Sequence, residues 1–416
     1  MPTPDPDVTG LILTGGGARA AYQVGVLKGL AQLRRELAPW QTGNPFPVIA
    51  GTSAGAINAA ALASHCDDFD RAVGALVSVW ENFRAEHVYR SDAIGVIRTG
   101  ARWLTMMSLG WVIARWRRAR QRSLLDNSPL EALLNEMVRV DRLHDLMKDG
   151  HLQALAVTAS SYSSGTHVTF YDAVQDFVPW NRSQRVAVRD RITVPHLLAS
   201  AAIPFVFPPV PLEFGGGTEY FGDGSMRQSA PISPAVHLGA NRIVVIGAGR
   251  IQEPPGRRKV NHGYPNLAQI AGHALSNIFL DALAVDIERL QRINNTLSLL
   301  PTAALKSTSL RPIELLVIAP TERLDDLAGK HLDSMPVSVR ALLRGVGVSG
   351  KGTDARGSAL ASYLLFESSY TRELIALGMA DTLSRRDEVV SFFRWERRAT
   401  PRVSFPDSGF HTTELE

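Results

Sequence analysis

The sequence opens with two copies of one pattern, in which a short apolar run leads into glycines and then into a helix-like segment. The first copy comprises Val8–Leu13, the glycines at 15–17 and Ala18–Leu37. The second comprises Phe46–Ala50 and, after another glycine loop, the alanine-rich segment Ala54–Ser64. Short buried strands that alternate with helices form a parallel sheet covered on both faces. The opening therefore predicts an α/β fold.

Later segments extend this pattern. Further strand-like apolar runs are Leu152–Thr158, His167–Tyr171, Arg242–Ile246 and Glu314–Ile318. Apolar residues at helical spacing predict helices over Val194–Ala202 and Leu267–Ile293, and the region from about 68 to 150 is mainly helical in pattern. The long helix at 267–293 is expected to offer a core face or a homodimer face.

The bulk properties narrow the class of protein. A chain of 416 residues with 45% hydrophobic and 20% charged residues has the composition of an ordinary globular protein. Its single cysteine, Cys66, excludes an intrachain disulfide and suits a reducing compartment. The first residues lack the pattern of a secretory signal, and no uninterrupted apolar run approaches the ~18 residues of a membrane span. We expect a cytoplasmic protein, with peripheral membrane contact as the further alternative.

The strongest chemical signal is the G-x-S-x-G motif formed by residues 51–55, which lies between an apolar strand and an alanine-rich helix. A sharp strand-to-helix turn exposes a serine nucleophile, here Ser53, and glycines two residues away let neighbouring chains pass. The following helix directs its N-terminal N–H groups toward developing negative charge. The alternative is that these residues form a Ser/Gly loop that only joins the strand to the helix and has no catalytic role.

A second signal is the run Gly15-Gly16-Gly17 directly after the first strand, followed closely by Arg19. Successive glycines expose backbone N–H groups that can stabilise an oxyanion. Arg19 can add positive potential or form a structural ion pair. A nucleotide-phosphate loop is disfavoured, because Gly51 and its neighbours occupy the place of the acidic residue that dinucleotide sites require.

A third signal is Asp223-Gly224-Ser225, since a serine hydroxyl needs a base to become nucleophilic. Alone, Asp-Gly indicates only a turn. The Asp-Gly pair becomes informative because it is the last of four motifs that follow one another along the chain. These are G-G-G-A-R at 15–19, G-T-S-A-G at 51–55, A-S-A-A-I-P at 199–204 and D-G at 223–224. In this order the motifs resemble those of patatin-like phospholipases, and the segments 123–130 and 156–165 resemble bacterial members.

The resemblance covers about residues 8–250 and implies a three-layer α/β/α patatin-like fold with a mainly parallel central sheet and additional helices. It implies a Ser–Asp dyad without a catalytic histidine, in which Ser53 is the nucleophile, Asp223 the base, and Gly15, Gly16, Gly17 and Arg19 the oxyanion region. The family often has Gly or Ala where this chain has Ser225. We expect residues 1–320 to form the catalytic domain, with a helical insertion at about 68–150, and residues 321–416 to form a mainly helical extension packed on it.

The implied function is a lipid acyl hydrolase of the phospholipase A or lysophospholipase type, which cleaves carboxylic esters of phospholipids or other acyl lipids through an acyl-enzyme. The alternatives are an acyltransferase or thioesterase with the same dyad, and a non-catalytic lipid-binding scaffold. An α/β-hydrolase triad fits less well because its nucleophile follows several strands. A histidine partner stays open, although His65, His196 and His237 lie in helical stretches typical of structural residues.

The segment 101–122 begins with a mostly apolar stretch at 101–114 that carries two tryptophans, and five arginines follow at 115, 117, 118, 120 and 122. This composition indicates an interfacial helix on an anionic membrane surface, and the alternative is an insertion packed on the core. The arginines lack any fold signal for nucleic-acid binding. No spacing indicates a metal or a cofactor.

Overall fold

The computed structural model describes residues 7–90, 123–250, 264–305, 307–350 and 357–395. Within these residues, ten strands form one mixed sheet. Their bounds are β1 Thr9–Leu13, β2 Val48–Thr52, β3 Ala154–Ser161, β4 His167–Ala173, β5 Asn181–Arg182, β6 Arg185–Arg189, β7 Val210–Phe214, β8 Gly217–Asp223, β9 Arg242–Ile246 and β10 Glu314–Ile318.

The strands run in the order β10-β9-β1-β2-β3-β4-β6-β5, and all neighbours from β10 to β3 are parallel. β4 is antiparallel to β3. The hairpin β7–β8 adds to β3 beyond the end of β2, again antiparallel. The central sheet is therefore mainly parallel, as expected, and its antiparallel side brings a late part of the chain to the end of β2.

Helices cover the sheet. Their bounds are α1 Ala21–Leu37, α2 Ala54–Ala63, α3 Phe69–Glu81, α4 Ser128–Met137, α5 Leu143–Lys148, α6 Val194–Ser200, α7 Ser233–His237, α8 Leu267–Ser276, α9 Ala282–Ser298, α10 Thr302–Leu305, α11 Leu324–Lys330, α12 Val337–Gly345, α13 Ser358–Leu364, α14 Ser368–Ser384 and α15 Arg386–Phe393.

Two apolar cores lie on the two faces of the sheet. Along β1, Leu11 and Leu13 belong to the larger core, whereas Ile12 belongs to the smaller one. This alternation follows from the two-residue period of a strand. The larger core includes α1 and α14, and the smaller one includes Leu283 and Ile287 of α9. The three-layer α/β/α arrangement expected from the sequence is confirmed.

Helix α14 packs against α1 at very short range. A Cβ atom on Gly25 of α1 would lie 2.1 Å from the backbone oxygen of Ile375, and one on Gly378 of α14 would lie 2.2 Å from that of Tyr22. The Tyr22 hydroxyl donates a hydrogen bond of 3.0 Å to Asp381. Residues after 321 therefore share the larger core with the opening βα units.

The long helix expected at 267–293 extends to Ser298 and contains a π-helical turn, Asn277–Asp281, between α8 and α9. Among the described residues, this run, Leu267–Ser298, is the one helix that has the length and hydropathy to cross a membrane. Core helices of globular proteins can have the same length and hydropathy. In this helix, 31% of the most apolar window is buried. The predicted interfacial segment, 101–122, lies outside the described residues.

Candidate active site

Ser53 lies in the sharp turn between β2 and α2. Its φ is 57°, a value uncommon for residues other than glycine and typical of strained functional turns. The two motif glycines make this turn possible. A Cβ on Gly55 would lie 2.3 Å from the backbone oxygen of Leu13, and one on Gly51 would lie 2.5 Å from the Cα of Ala56. The G-x-S-x-G spacing thus lets the Ser53 turn pack directly on β1 and on its own helix.

Asp223 reaches Ser53 through the register of the sheet. β2 ends with Thr52 opposite Thr158 of β3, and β8 ends with Asp223 opposite the next residue of β3, Ala159. β8 therefore pairs with the part of β3 that extends beyond the end of β2. As a result, Ser53 and Asp223 meet although 170 positions separate them along the chain.

The Ser53 hydroxyl donates a hydrogen bond of 2.6 Å from Oγ to Oδ2 of Asp223. The other carboxylate oxygen, Oδ1, accepts the backbone N–H of Ser225 at 2.8 Å. Ser53 is only 1% exposed, and Asp223 is fully buried. This direct contact is the geometry that a general base and a serine nucleophile require.

The end of α6 supports both residues. The hydroxyl of Ser200 accepts the backbone N–H of Ser53 at 2.8 Å. The backbone oxygen of Ala202 accepts the N–H of Asp223 at 3.0 Å, and that of Ser200 accepts the N–H of Gly224 at 3.2 Å. The A-S-A-A stretch therefore fixes the Ser53 turn and the Asp223 turn relative to each other. The sequence placed this stretch in the family pattern without indicating this role.

Burial raises the pKa of Asp223 to about 6, and the hydrogen bonds from Ser53 and from the backbone of Ser225 oppose this rise. Removing a carboxylate from water disfavours its charged form. A carboxyl with this pKa is a stronger base than one at its ordinary value, and it is still mostly ionised at neutral pH.

The glycine turn leaves backbone donors free. Among the described residues, the N–H groups of Gly15, Gly16 and Gly17 have no hydrogen-bond acceptor, and neither has that of Ala54 at the start of α2. The side chain of Ser225 points toward Gly15, and its buried hydroxyl has no partner among these residues. Ala54 is the first residue of the helix whose N-terminal N–H groups the sequence predicted to face developing negative charge, and the residue after a nucleophile is a common oxyanion donor.

Arg19 turns its side chain to the C-terminal helices. Its Nε donates a hydrogen bond of 2.8 Å to Oγ of Ser362, and its guanidinium lies 4.0 Å from the ring centre of Tyr363. Its backbone N–H is bonded to the oxygen of Gly16. A Cβ on Gly17 would lie 2.3 Å from the oxygen of Tyr363. The contacts of Arg19 therefore brace the glycine turn against α13.

The three histidines considered in the sequence have other partners. His65 contacts the hydroxyl of Ser64, His196 contacts that of Thr193, and His237 stacks on Trp180 at 4.5 Å. Within the part of the chain that the structure describes, no histidine is hydrogen-bonded to the Ser53–Asp223 pair. In the same residues no cluster of His, Cys, Asp and Glu could hold a metal ion.

An almost wholly apolar cavity reaches Ser53 and has about 30 Å³ of free volume. Its walls include Ile57 of α2, Trp80 of α3, Leu133 of α4 and Phe366. This free volume is enough for little more than a water molecule. An acyl chain would therefore enter only as these side chains move apart.

A family model for patatin-like phospholipase matches residues 11–236, which is more than half of the chain. This chain belongs to the patatin-like phospholipase family. The matched range contains the glycine turn, Ser53 and Asp223. Membership in a patatin-like phospholipase family makes the chain a lipid hydrolase at the level of the family. None of the curated proteins matches the sequence.

Two solved structures are distantly similar to this chain. VipD from Legionella pneumophila is 12% identical, with 89% of this chain and 67% of that chain covered and a TM-score of 0.32. Human GIVD cytosolic phospholipase A2, solved with methyl gamma-linolenyl fluorophosphonate, is 14% identical, with a TM-score of 0.39. The match covers 93% of this chain and 59% of the human one, which is less than two thirds of its length. The activity of this chain has to be argued from its own site.

Proposed function

We propose that this protein hydrolyses carboxylic esters of phospholipids or lysophospholipids, with Ser53 as nucleophile and Asp223 as its base. The observation that carries this proposal is the 2.6 Å hydrogen bond between Ser53 Oγ and Asp223 Oδ2, in a buried site beside unbonded backbone N–H groups. Family membership supports the lipid class of substrate.

The reaction begins when Ser53 Oγ attacks the ester carbonyl while Asp223 takes the hydroxyl proton. The free N–H groups of Gly15 to Gly17 and of Ala54 hold the oxyanion, and one such donor typically contributes roughly 3–4 kcal/mol. Asp223 then returns the proton to the departing alcohol. In the second half, Asp223 takes a proton from water, the hydroxide attacks the acyl-enzyme, and the fatty acid leaves as Ser53 recovers its proton.

The cavity supports an acyl chain as the group that occupies the site. Its walls are apolar, and Ile57 lies one helical turn from Ser53 on α2. An apolar wall stabilises a hydrocarbon chain by about 0.8 kcal/mol for each buried CH₂ group. The charged head group of a lipid has no counterpart in this lining and would remain outside it.

The test compares Ser53→Ala and Asp223→Asn with the unchanged protein. The control is Ser64→Ala, a buried serine at the other end of α2. Release of fatty acid from defined phosphatidylcholine and lysophosphatidylcholine should fall on the order of 10³-fold or more in both site variants. It should stay near normal in the control. A fluorophosphonate probe should label the control but not Ser53→Ala.

Different results would redirect the proposal. Retention of full hydrolysis by either site variant would refute the dyad. Transfer of the acyl group to an added alcohol or thiol acceptor in preference to water would favour an acyltransferase. Binding of lipid without labelling or turnover would indicate a scaffold.

A further inference from the structure

Phe205 occupies a turn that ordinarily requires glycine. The N–H of Val206 donates a hydrogen bond of 3.1 Å to the oxygen of Ile203, which makes Pro204 and Phe205 the central residues. The φ of Phe205 is 66°. Proline followed by a residue with positive φ describes a type II turn, whose second central residue is ordinarily Gly or Asn. A bulky side chain in this conformation is an outlier that needs a reason.

Packing against the described residues does not supply that reason. The Phe205 side chain is 74% exposed, whereas the neighbouring Ile203 and Phe207 are buried. The backbone is held firmly, since the oxygen of Phe205 accepts the N–H of Leu124 at 2.9 Å. The turn therefore presents an aromatic ring to the outside in a fixed position.

Phe205 lies in the segment that forms part of the wall of the apolar cavity. Ile203 and Phe207, on either side of Phe205, both line the cavity that reaches Ser53. One residue before Ile203, the oxygen of Ala202 holds the N–H of Asp223. The exposed aromatic therefore belongs to a short segment whose neighbouring side chains form part of the wall of the apolar cavity.

We propose that Phe205 inserts its ring into a phospholipid bilayer and so places the cavity entrance at the lipid surface. The proposal rests on the proposed lipid substrate for the identity of the partner. A phenyl ring gains free energy on leaving water for the acyl region, and aromatic residues are enriched in interfacial anchors.

The test measures binding to phosphatidylcholine vesicles in a Ser53→Ala background, so that turnover does not enter. Phe205→Gly should weaken binding about tenfold, as expected for the loss of one buried aromatic side chain. Its melting temperature should be unchanged or higher, because glycine accepts the positive φ. Phe205→Trp should bind at least as tightly as the parent.

The matched control is Val178→Gly. Val178 is 85% exposed and follows the end of β4. The end of β4 pairs with the beginning of β3, whereas Ser53 lies near the other end of β3. Vesicle binding by this variant should equal that of the parent. Repeating the series with anionic vesicles should leave the ratio between Phe205→Gly and the parent unchanged, because the ring carries no charge.

Two results would overturn the inference: Phe205→Gly binding as tightly as its parent, or a parent protein with no affinity for either type of vesicle. If the active protein releases no fatty acid but its vesicle binding still depends on Phe205, the proposed reaction fails while the lipid-surface contact stands.

Discussion

Arg19, two residues after the glycine turn, donates a hydrogen bond of 2.8 Å to Ser362, which lies 343 positions further along the chain. The same guanidinium stacks on Tyr363, whose backbone oxygen lies against Gly17. The C-terminal helices are therefore in direct contact with the turn that we propose as the oxyanion hole.

This contact predicts that Ser362→Ala will lower kcat about tenfold and change KM little. Loss of the bond to Arg19 would let the backbone N–H donors of the glycine turn shift slightly, and such a shift weakens their hydrogen bonds mainly in the transition state. Ser369→Ala, at an exposed serine bonded to Ser334, is the matched control. Steady-state kinetics on a monomeric ester measure both constants. A KM effect alone, or no effect in Ser362→Ala, would contradict this positioning role.

The pKa of Asp223 predicts the pH dependence of activity. The carboxyl must be ionised to accept the Ser53 proton, and its pKa is about 6. At pH values below about 6, kcat/KM should fall about tenfold for each pH unit. A pH–rate profile measures this limb, and a profile that stays flat to pH 4 would show that Asp223 is not the base.

The same pKa predicts a change in stability. Between the ordinary value of 3.8 and about 6, the folded state holds a proton that the unfolded chain has released. The free energy of unfolding should therefore decrease as the pH rises through this interval. Asp223→Asn should remove that decrease, with a difference of up to about 3 kcal/mol at pH 8 that vanishes below pH 4. Urea unfolding of both proteins across this range is the measurement. Parallel curves would contradict the prediction.

Helix packing predicts opposite effects for two glycine substitutions. Gly25→Ala should destabilise the fold by about 2–4 kcal/mol, because its methyl group would collide with the backbone of Ile375. Gly74→Ala, in the middle of α3 with no atom within 4 Å of its added carbon, should stabilise it by about 0.5–1 kcal/mol. Thermal and urea unfolding would measure both changes. Equal effects would show that the close contact of α1 with α14 is absent.

The buried hydroxyl of Ser225 predicts a nearly neutral substitution. It satisfies no hydrogen-bond geometry among the described residues, although its proximity to Asp223 helps to lower the pKa of that carboxyl, so Ser225→Ala should retain activity and change stability by no more than about 1 kcal/mol. Hydrolysis rates and urea unfolding would measure the two outcomes. A loss of activity beyond tenfold would instead assign the hydroxyl a part in the reaction.

Local patterns predicted the elements that carry the chemistry. The bounds of β9 and β10 coincide with the apolar runs, and the G-x-S-x-G motif predicted the strand, turn and helix around Ser53. These features depend on neighbouring residues, so periodicity and glycine spacing reveal them.

Sequence patterns did not predict the features that depend on contacts between distant segments. The attachment of β8 to β3, the docking of α14 on Gly25, and the direction of Arg19 each join residues at least 60 positions apart. The π-helical turn after α8 escaped for another reason, since the apolar spacing continues through it. The sequence left two roles open for Arg19, a place in the oxyanion region and a structural contact, and its side chain has its partners on α13.

β2 and β8 pair with consecutive parts of β3, and this arrangement affects how correct folding of the purified protein can be measured. Successive residues of a strand face opposite sides of a sheet, so a slip of β8 by one position would put Gly222 or Gly224 opposite Ala159. Such a molecule would keep its helices and most of its core, yet it would have no carboxylate beside Ser53. If Asp223 is the base, as we propose, misassembled molecules would lose activity to the same extent as Asp223→Asn. The fraction of active sites, counted by titration with a covalent inhibitor, would report the correctness of folding in a way that circular dichroism could not.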